Sequence, residues 1–271
     1  MLLNEWLTQA YARLTNAGFM SAKIEAQVLA GHAMLVDRAW VLSHPEHEVN
    51  DLALETLLQR RELGEPLAYI LGYREFYSRR FRVDTNVLIP RHETEVLIEQ
   101  ALWFPKVPMR VLDIGTGSGC IAVTLKLERP QWEVWATDIS FPALQVAREN
   151  AETLGADIVF RHSNLFQQLQ GETFDLIVSN PPYIGREEPL PREVKDFEPD
   201  SALFAEDSGL AIYRRLATEI TTHLKPGGRL LLEIGQTQGV EVSEMFSDAK
   251  VIQDLDGNDR IVEWTYTDDR A

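Results

Sequence analysis

Over the first seventy positions the apolar residues recur at helical spacing. Leu3, Leu7, Ala10 and Leu14 predict one helix, stopped by Gly18. Ser21, with Glu25 in the next turn, predicts the start of a second helix carrying a stripe of Ile24, Val28, Leu29 and Leu35. A third is predicted from Asp51 to Leu63, with Leu54, Leu57 and Leu58 on one side. Gly64 and Pro66 break it, and a short helix over 66–71 follows. At Gly72 the period changes. Glu75-Phe76-Tyr77 and Phe81-Arg82-Val83 flank Ser78-Arg79-Arg80 as a hairpin. The division expected is a helical domain over 1–71, a linker hairpin over 72–90 and a second domain over 91–271.

The second domain opens with a helix from Glu93 to Leu102. From residue 110 apolar runs alternate with amphipathic ones. Strands are predicted at 111–114, 133–137, 158–160, 174–179, 229–234, 250–254 and 260–265, and helices at 120–127, 141–154 and 210–224, with a turn at Lys225 to Gly228. Repeated strand–helix units predict an α/β fold, a mainly parallel seven-stranded sheet covered on both faces. The last two strands are joined around Asp256-Gly257-Asn258, too short for a crossover, so that pair should be antiparallel.

Charge and cysteine content narrow the setting. The 271 residues carry 26 Lys+Arg against 42 Asp+Glu, a net charge of −16, which argues against a large phosphate-binding surface and against stable nucleic-acid binding. No apolar run reaches the roughly 18 residues a membrane span needs. Cys120, the single cysteine, cannot form an internal disulfide, and Met1-Leu2-Leu3-Asn4-Glu5 lacks the features of an export signal; a reducing cytoplasm is the expected compartment. The six histidines show no ligand spacing with cysteine, so no metal is expected.

Two features carry chemistry in the first half of the sheet. Gly115-Thr116-Gly117-Ser118-Gly119 lies between the first strand of the sheet and its helix, where glycines let the backbone turn sharply and approach a ligand. The next strand ends at Asp138, a carboxylate placed to accept from both hydroxyls of a ribose. Together they favour a nucleoside cofactor at the carboxyl edge. Cys120 stands where a Gly-x-Gly-x-x-Gly pyrophosphate clamp needs its third glycine, which disfavours a nicotinamide oxidoreductase. The spacing present, after a strand ending in Asp-Ile, resembles the S-adenosylmethionine (SAM) loop of Rossmann-like methyltransferases.

The sharpest feature is Asn180-Pro181-Pro182-Tyr183, directly after the strand Asp175 to Ser179. It falls on the same carboxyl edge as the glycine loop. The prolines make the turn rigid. The Asn180 side-chain oxygen and the Pro181 carbonyl can each accept a hydrogen from a planar NH2 group, and Tyr183 offers a face to stack on its plane.

With Glu65 to Gly72, Arg74 to Tyr77, Leu88-Ile89-Pro90-Arg91, Thr94-Glu95, Phe197-Glu198-Pro199, Asp207-Ser208-Gly209 and Gly257 to Arg260 added, nearly the whole chain resembles the HemK/PrmC family of bacterial protein-glutamine methyltransferases. That resemblance implies SAM bound by Gly115, Thr116, Gly117, Ser118, Gly119 and Asp138, with Asn164 and Leu165 lining the adenine. It implies that Asn180, Pro181, Pro182 and Tyr183 hold the substrate, with Asn180 also beside the cofactor. The substrate implied is the glutamine of a Gly-Gly-Gln loop in a peptide chain release factor, methylated in support of translation termination, with the helical domain helping to dock that protein. Nothing demands more than a monomer.

The Asn-Pro-Pro-Tyr turn is shared with adenine amino-methyltransferases, which use it on a flipped base, so a nucleic-acid enzyme is the alternative. Arg79, Arg80 and Arg82 read either as a solvated face or as a contact with a partner or its RNA. Glu233 reads as a strand end facing water, or as a support for the site. Cys120 reads as a small buried side chain, and His92 as a helix-start residue.

Overall fold

The computed structural model describes residues 1–267. The chain forms two units: Met1–Tyr73 together with Leu190–Phe197, and Arg74–Pro189 together with the chain from Glu198 onward. Among the described residues no helix is long and apolar enough to cross a membrane.

The first unit contains α1 (Leu3–Asn16), α2 (Ala22–Met34), α3 (Arg38–Ser43), α4 (Asp51–Glu62) and α5 (Leu67–Leu71). Its core is Leu3, Trp6, Ala10 and Leu14 of α1 against Ala26 and Leu29 of α2, Leu54 and Leu58 of α4 and Ile70 of α5. The face that α2 buries differs from the one expected. Ile24 is 49% exposed and Leu35 is 92% exposed, while Ala22, Ala26 and Ala30 are buried. Small residues let α2 approach its neighbours closely, so the seam follows the alanines. Leu35 ends the helix in the left-handed region (φ 57°). α3 is a single short segment that periodicity could not show; the Asp37 carboxylate caps it, accepting from the Trp40 backbone N–H at 2.7 Å.

Two arginines clamp this unit. Arg13 of α1 donates to Glu55 (2.7 Å) and to Glu62, both on α4. The Arg61 side chain is 4% exposed and pairs with Glu25 of α2 at 2.6 Å and with Glu193 at 3.0 Å. It also donates to the Glu65 carbonyl at 2.9 Å and lies 3.7 Å over the Phe19 ring. Arg61 thus ties α2, α4 and the Leu190–Phe197 segment, with its one turn Arg192–Lys195, into one body.

The hairpin β1 (Tyr73–Phe76) and β2 (Arg79–Arg82) leads into the second unit, followed by a 3-10 turn His92–Thr94 and α6 (Glu95–Leu102). The sheet proper alternates β3 (Arg110–Ile114), α7 (Cys120–Glu128), β4 (Glu133–Asp138), α8 (Phe141–Leu154), β5 (Ile158–His162) and β6 (Phe174–Ser179). It continues through α9 (Ala211–Glu219), β7 (Leu224–Glu233), α10 (Gly239–Ser243), β8 (Lys250–Gln253) and β9 (Asp259–Thr265). The order in the seven-stranded sheet is β5-β4-β3-β6-β7-β9-β8. β9 runs antiparallel to both its neighbours, and the other neighbouring pairs are parallel. β7 already starts at Leu224, through the stretch expected as a turn, with an irregularity opposite Phe174 and Leu176.

The strands are apolar at successive positions because both faces are covered. Val111, Val134, Leu176 and Leu231 face α6, α7, α8 and the hairpin residues Phe76 and Phe81. Leu112, Trp135, Ile177 and Leu232 face Tyr213 and Leu216 of α9, with Phe166 and Phe246. The hairpin therefore belongs to the core of this unit. Its arginines form a neutralised face: Arg79 pairs with Glu128, Arg80 with Glu75, and Arg82 with Asp84 and Glu149.

Arg61→Ala should destabilise the first unit by about 3 kcal/mol, because Glu25 would keep its charge in a half-dry site with no partner. Urea unfolding of the full chain checks this; a change within about 0.5 kcal/mol, the size of an exposed pair, would show that the clamp is ornamental.

Candidate active site

The chain goes from β3 outward to β4 and β5, then returns to place β6 on the other side of β3. Loops leaving neighbouring strands in opposite directions open a crevice at this switch point. The register pairs Ile114 with Ser179, and the Ser179 hydroxyl donates to the Ile114 carbonyl at 2.7 Å. The next residues on the two strands are Gly115 and Asn180, so the two sequence motifs start side by side.

The glycine loop is held by backbone and carboxylates. Gly115 and Thr116 donate to the Thr137 carbonyl at 2.8 and 2.9 Å. The two oxygens of Asp138 accept from the Gly117 N–H (2.9 Å) and the Ser140 N–H (2.8 Å), which leaves one lone pair on each for a further donor. Gly117 has φ 55°, with open space where a side chain would start. Gly119 is different: a Cβ there would lie 3.1 Å from the Ala147 Cβ, so this glycine lets α7 pack on α8.

A cavity of about 290 Å3 lies in front of these loops. Its walls include Gly115, Thr116, Gly117, Ser118, Asp138, Asn164, Leu165, Asn180, Pro181 and Pro182, so nearly every residue singled out in the sequence meets in one place. Gly119 lies behind the wall. Tyr183 also lies outside the lining. The reason is local. Gln238 donates to the Tyr183 carbonyl at 2.9 Å, and the ring packs where Gly235 leaves room. Burial pushes the Tyr183 hydroxyl up to about 12, so it stays protonated.

Leu88, Pro90, Arg91 and Thr94 form a further wall that sequence reasoning quoted but assigned no role. Arg91 is fixed by the buried Glu198 at 2.6 Å, and Glu198 also accepts from the Ile89 N–H at 3.1 Å. Asn180 donates from its side-chain nitrogen to the Thr94 hydroxyl at 3.2 Å, which turns its oxygen away from Thr94. Among the described residues no donor reaches the Pro181 carbonyl. The Cys120 thiol lines the cavity but is buried, which pushes it up to about 12 and keeps it protonated and unreactive.

Two further acids are buried at the carboxyl ends of β3 and β7. Asp113 is fully buried; desolvation pushes it up to about 7 although it accepts from the Thr116 hydroxyl at 2.6 Å. Glu233, expected at a wet strand end, is 1% exposed and likewise pushed up to about 7 by desolvation. The Ser118 hydroxyl and one Asp113 oxygen are buried without a partner. The N-terminus of α7 has no side-chain cap. Open backbone donors, spare acceptors at Asp138 and unmatched polar atoms beside the glycine loop suit a ligand with ribose hydroxyls at one end and an amino-acid group at the other.

Comparison with known proteins decides the family. The Methyltransferase small domain family matches residues 92–194 and the PrmC N-terminal domain family matches residues 5–72. A release factor glutamine methyltransferase of Koribacter versatilis is 44% identical over 97% of this chain and 98% of its own length. The chain belongs to the release factor glutamine methyltransferase family. Another member, from Cereibacter sphaeroides, is 45% identical, with 94% of this chain and 95% of the relative covered. A methyltransferase structure from Pyrococcus furiosus shares the fold at TM-score 0.55 and 18% identity, covering 79% of this chain and all of that one. In this family member the resemblance read from Asn180 to Tyr183 and from the glycine loop therefore holds at the level of family and fold.

The burial of Asp113 has a measurable consequence. The folded state holds the Asp113 proton up to about pH 7, the unfolded chain only to about 4, so stability falls as pH rises between them. Asp113→Asn cannot ionise and keeps an acceptor for Thr116. Its unfolding free energy relative to the parent should rise by up to about 1.4 kcal/mol per pH unit from pH 4 to 7 and then level. Chemical denaturation at four pH values checks it; a difference that stays flat would mean Asp113 is ionised in the fold.

Proposed function

We propose that this protein transfers a methyl group from SAM to the side-chain amide nitrogen of the glutamine in the Gly-Gly-Gln motif of peptide chain release factors, acting as a cytoplasmic monomer. The observation that carries the reading is the meeting of Asn180 and the Gly115 loop across the Ile114–Ser179 pair, with the Asn180 oxygen free of Thr94.

Each part has a role in this reading. Asp138 accepts from the ribose hydroxyls with its two spare lone pairs. Asn164 and Leu165 border the adenine. Gly115 to Gly119 and the uncapped start of α7 take the amino-acid end. Bound there, SAM supplies an electrophilic methyl carbon on a sulfonium.

An amide nitrogen is a poor nucleophile because its lone pair is shared with the carbonyl. The Asn180 oxygen and the Pro181 carbonyl each accept one N–H of the glutamine, which turns the nitrogen lone pair out of conjugation and toward the methyl carbon. Pro181 and Pro182 hold those acceptors rigidly, and Tyr183 braces the loop from the Gly235 side. Orientation of this kind supplies up to ~7–11 kcal/mol of the barrier. The carbonyl dipoles also stabilise positive charge as it develops on nitrogen. No strong base is needed first, since the nitrogen becomes acidic once methylated and then releases its proton.

The adenine alternative uses the same acceptors on a base amine. It is disfavoured by the net charge of −16 and by the pairing of every arginine in the 79–82 run with a carboxylate.

Asn180→Ala should lower kcat toward a purified release factor by about 10²–10³-fold while leaving SAM affinity within about twofold. Methyl transfer from labelled SAM, with mass spectrometry to locate the methyl and DNA and RNA run in parallel, provides the measurement. Equal loss of cofactor binding would remove the assigned role; label found only in nucleic acid would move the reaction to a base.

A further inference from the structure

Arg91 stands in the cavity wall with most of its donors unspent. Its guanidinium gives one hydrogen bond, to the Glu198 carboxylate at 2.6 Å, and no second acceptor among the described residues reaches it. A guanidinium carries five N–H donors in a fixed fork, so this bond leaves four. The Arg91 side chain is 32% exposed against 1% for Glu198, and its free nitrogens are not buried. The unspent part of the fork is therefore open to a ligand.

The local structure holds that fork still. Glu198 uses both oxygens, one on Arg91 and the other on the Ile89 N–H at 3.1 Å, and so clamps the two ends of a three-residue stretch. Pro90 between them has a fixed φ and no N–H to satisfy. Arg91 is extended (φ −97°, ψ 145°), and its carbonyl accepts from the Thr94 N–H at 3.2 Å. The Thr94 hydroxyl accepts from the Asn180 amide, also at 3.2 Å. These two bonds tie Arg91 to the Asn180 side of the cavity. A carboxylate as buried as Glu198 costs folding free energy, and a partner that is a third exposed returns only part of it. What the pair secures is the direction of the fork.

Charge selects the ligand. Arg91 and Glu198 together are neutral, so the free N–H groups suit a neutral acceptor better than an anion. On the reading proposed above, the amino-acid end of SAM has the glycine loop and the start of α7. What reaches the Asn180 side is a glutamine within a polypeptide, and each residue of a polypeptide carries a main-chain carbonyl that accepts. A glutamine whose side chain extends to Asn180 keeps those carbonyls toward the mouth of the cavity.

We propose that Arg91, aimed by Glu198, is a substrate-binding residue that donates to a main-chain carbonyl beside the target glutamine. This rests on the role proposed for Asn180. It adds a contact that reads the substrate as polypeptide, where Asn180 and Pro181 read only an NH2 group. Glu198 touches no substrate and is the positioning residue for the fork.

The test measures KM and kcat for methyl transfer to a purified release factor, with SAM affinity, on the full chain. Arg91→Met alone would strand the Glu198 carboxylate. The informative form combines Arg91→Met with Glu198→Gln, which leaves no buried charge and keeps an acceptor for Ile89. It should raise KM for the release factor by about 10–10²-fold, the size of one hydrogen bond from a charged donor, with kcat at saturation within about threefold and SAM affinity within about twofold. Glu198→Gln alone keeps the guanidinium and should raise KM less. Arg91→Lys keeps a cation for Glu198 but has no fork to serve two acceptors, so its urea unfolding should match the parent while KM still rises. Parental KM in the double variant, equal KM in the double variant and Glu198→Gln, or a tenfold loss of SAM affinity would each overturn the proposal, the last by placing the fork on the cofactor. A parent protein that leaves the release factor unmethylated, or Asn180→Ala at parental kcat, removes the underlying reading instead. If the double variant misfolds, Arg91→Lys decides: a parental KM there overturns the contact.

Discussion

The site depends on one pairing, β3 against β6 in parallel with Ile114 opposite Ser179. Parallel strands at a switch point send their loops apart at the same height, which opens the crevice, and the Ser179 hydroxyl on the Ile114 carbonyl closes the pair at its last step. A slip of one residue would turn each side chain to the opposite face. It would also separate the glycine loop from Asn180 by about 3.3 Å, enough to take a methyl carbon out of reach of a nitrogen. The apolar residues on both faces of these strands therefore do more than stabilise the sheet. Val111 and Leu112 on β3, with Leu176 and Ile177 on β6, lock the register that the chemistry needs.

The same edge concentrates burial of acid. Asp113, Asp138 and Glu233 lie at the carboxyl ends of β3, β4 and β7, and all three are raised in pKa chiefly by desolvation. Each has different surroundings. Asp113 orders the loop through Thr116, Asp138 ties Gly117 and Ser140 while keeping acceptors to spare, and Glu233 lies beside Asn180 across the β6–β7 pair.

Much of this was legible in the chain because it was local. The glycine loop, Asp138 and Asn180 to Pro182 are short motifs at strand ends, and the strand–helix alternation places them on one edge without any knowledge of tertiary contacts. What was not legible depends on distance in sequence. Leu190–Phe197 joins the helical unit through Glu193 on Arg61, a pairing no pattern announces. Asn180 and Glu233 are 53 positions apart and come side by side only once β7 lies beside β6. Ile24 and Leu35 look like core residues by type, but the close approach of α2 is set by Ala22, Ala26 and Ala30. The neighbours of Tyr183, Gly235 and Gln238, lie more than fifty residues further on and could not be read from its motif.

Charge distribution supplies the last step. Arginine clusters attract phosphate only where the guanidinium groups are free to exchange partners. On the hairpin, Arg79 is held by Glu128 at 2.6 Å and Arg82 by Asp84 at 2.9 Å, each pair within one folded body. A nucleic acid would have to break these pairs and approach a chain of charge −16. A protein loop faces no such barrier. The acceptors at Asn180 and Pro181 do not distinguish a base amine from a glutamine amide, since both present two hydrogens in a plane. On the reading proposed here, the discrimination between them would lie outside the trap, where a chain of charge −16 disfavours a polyanion.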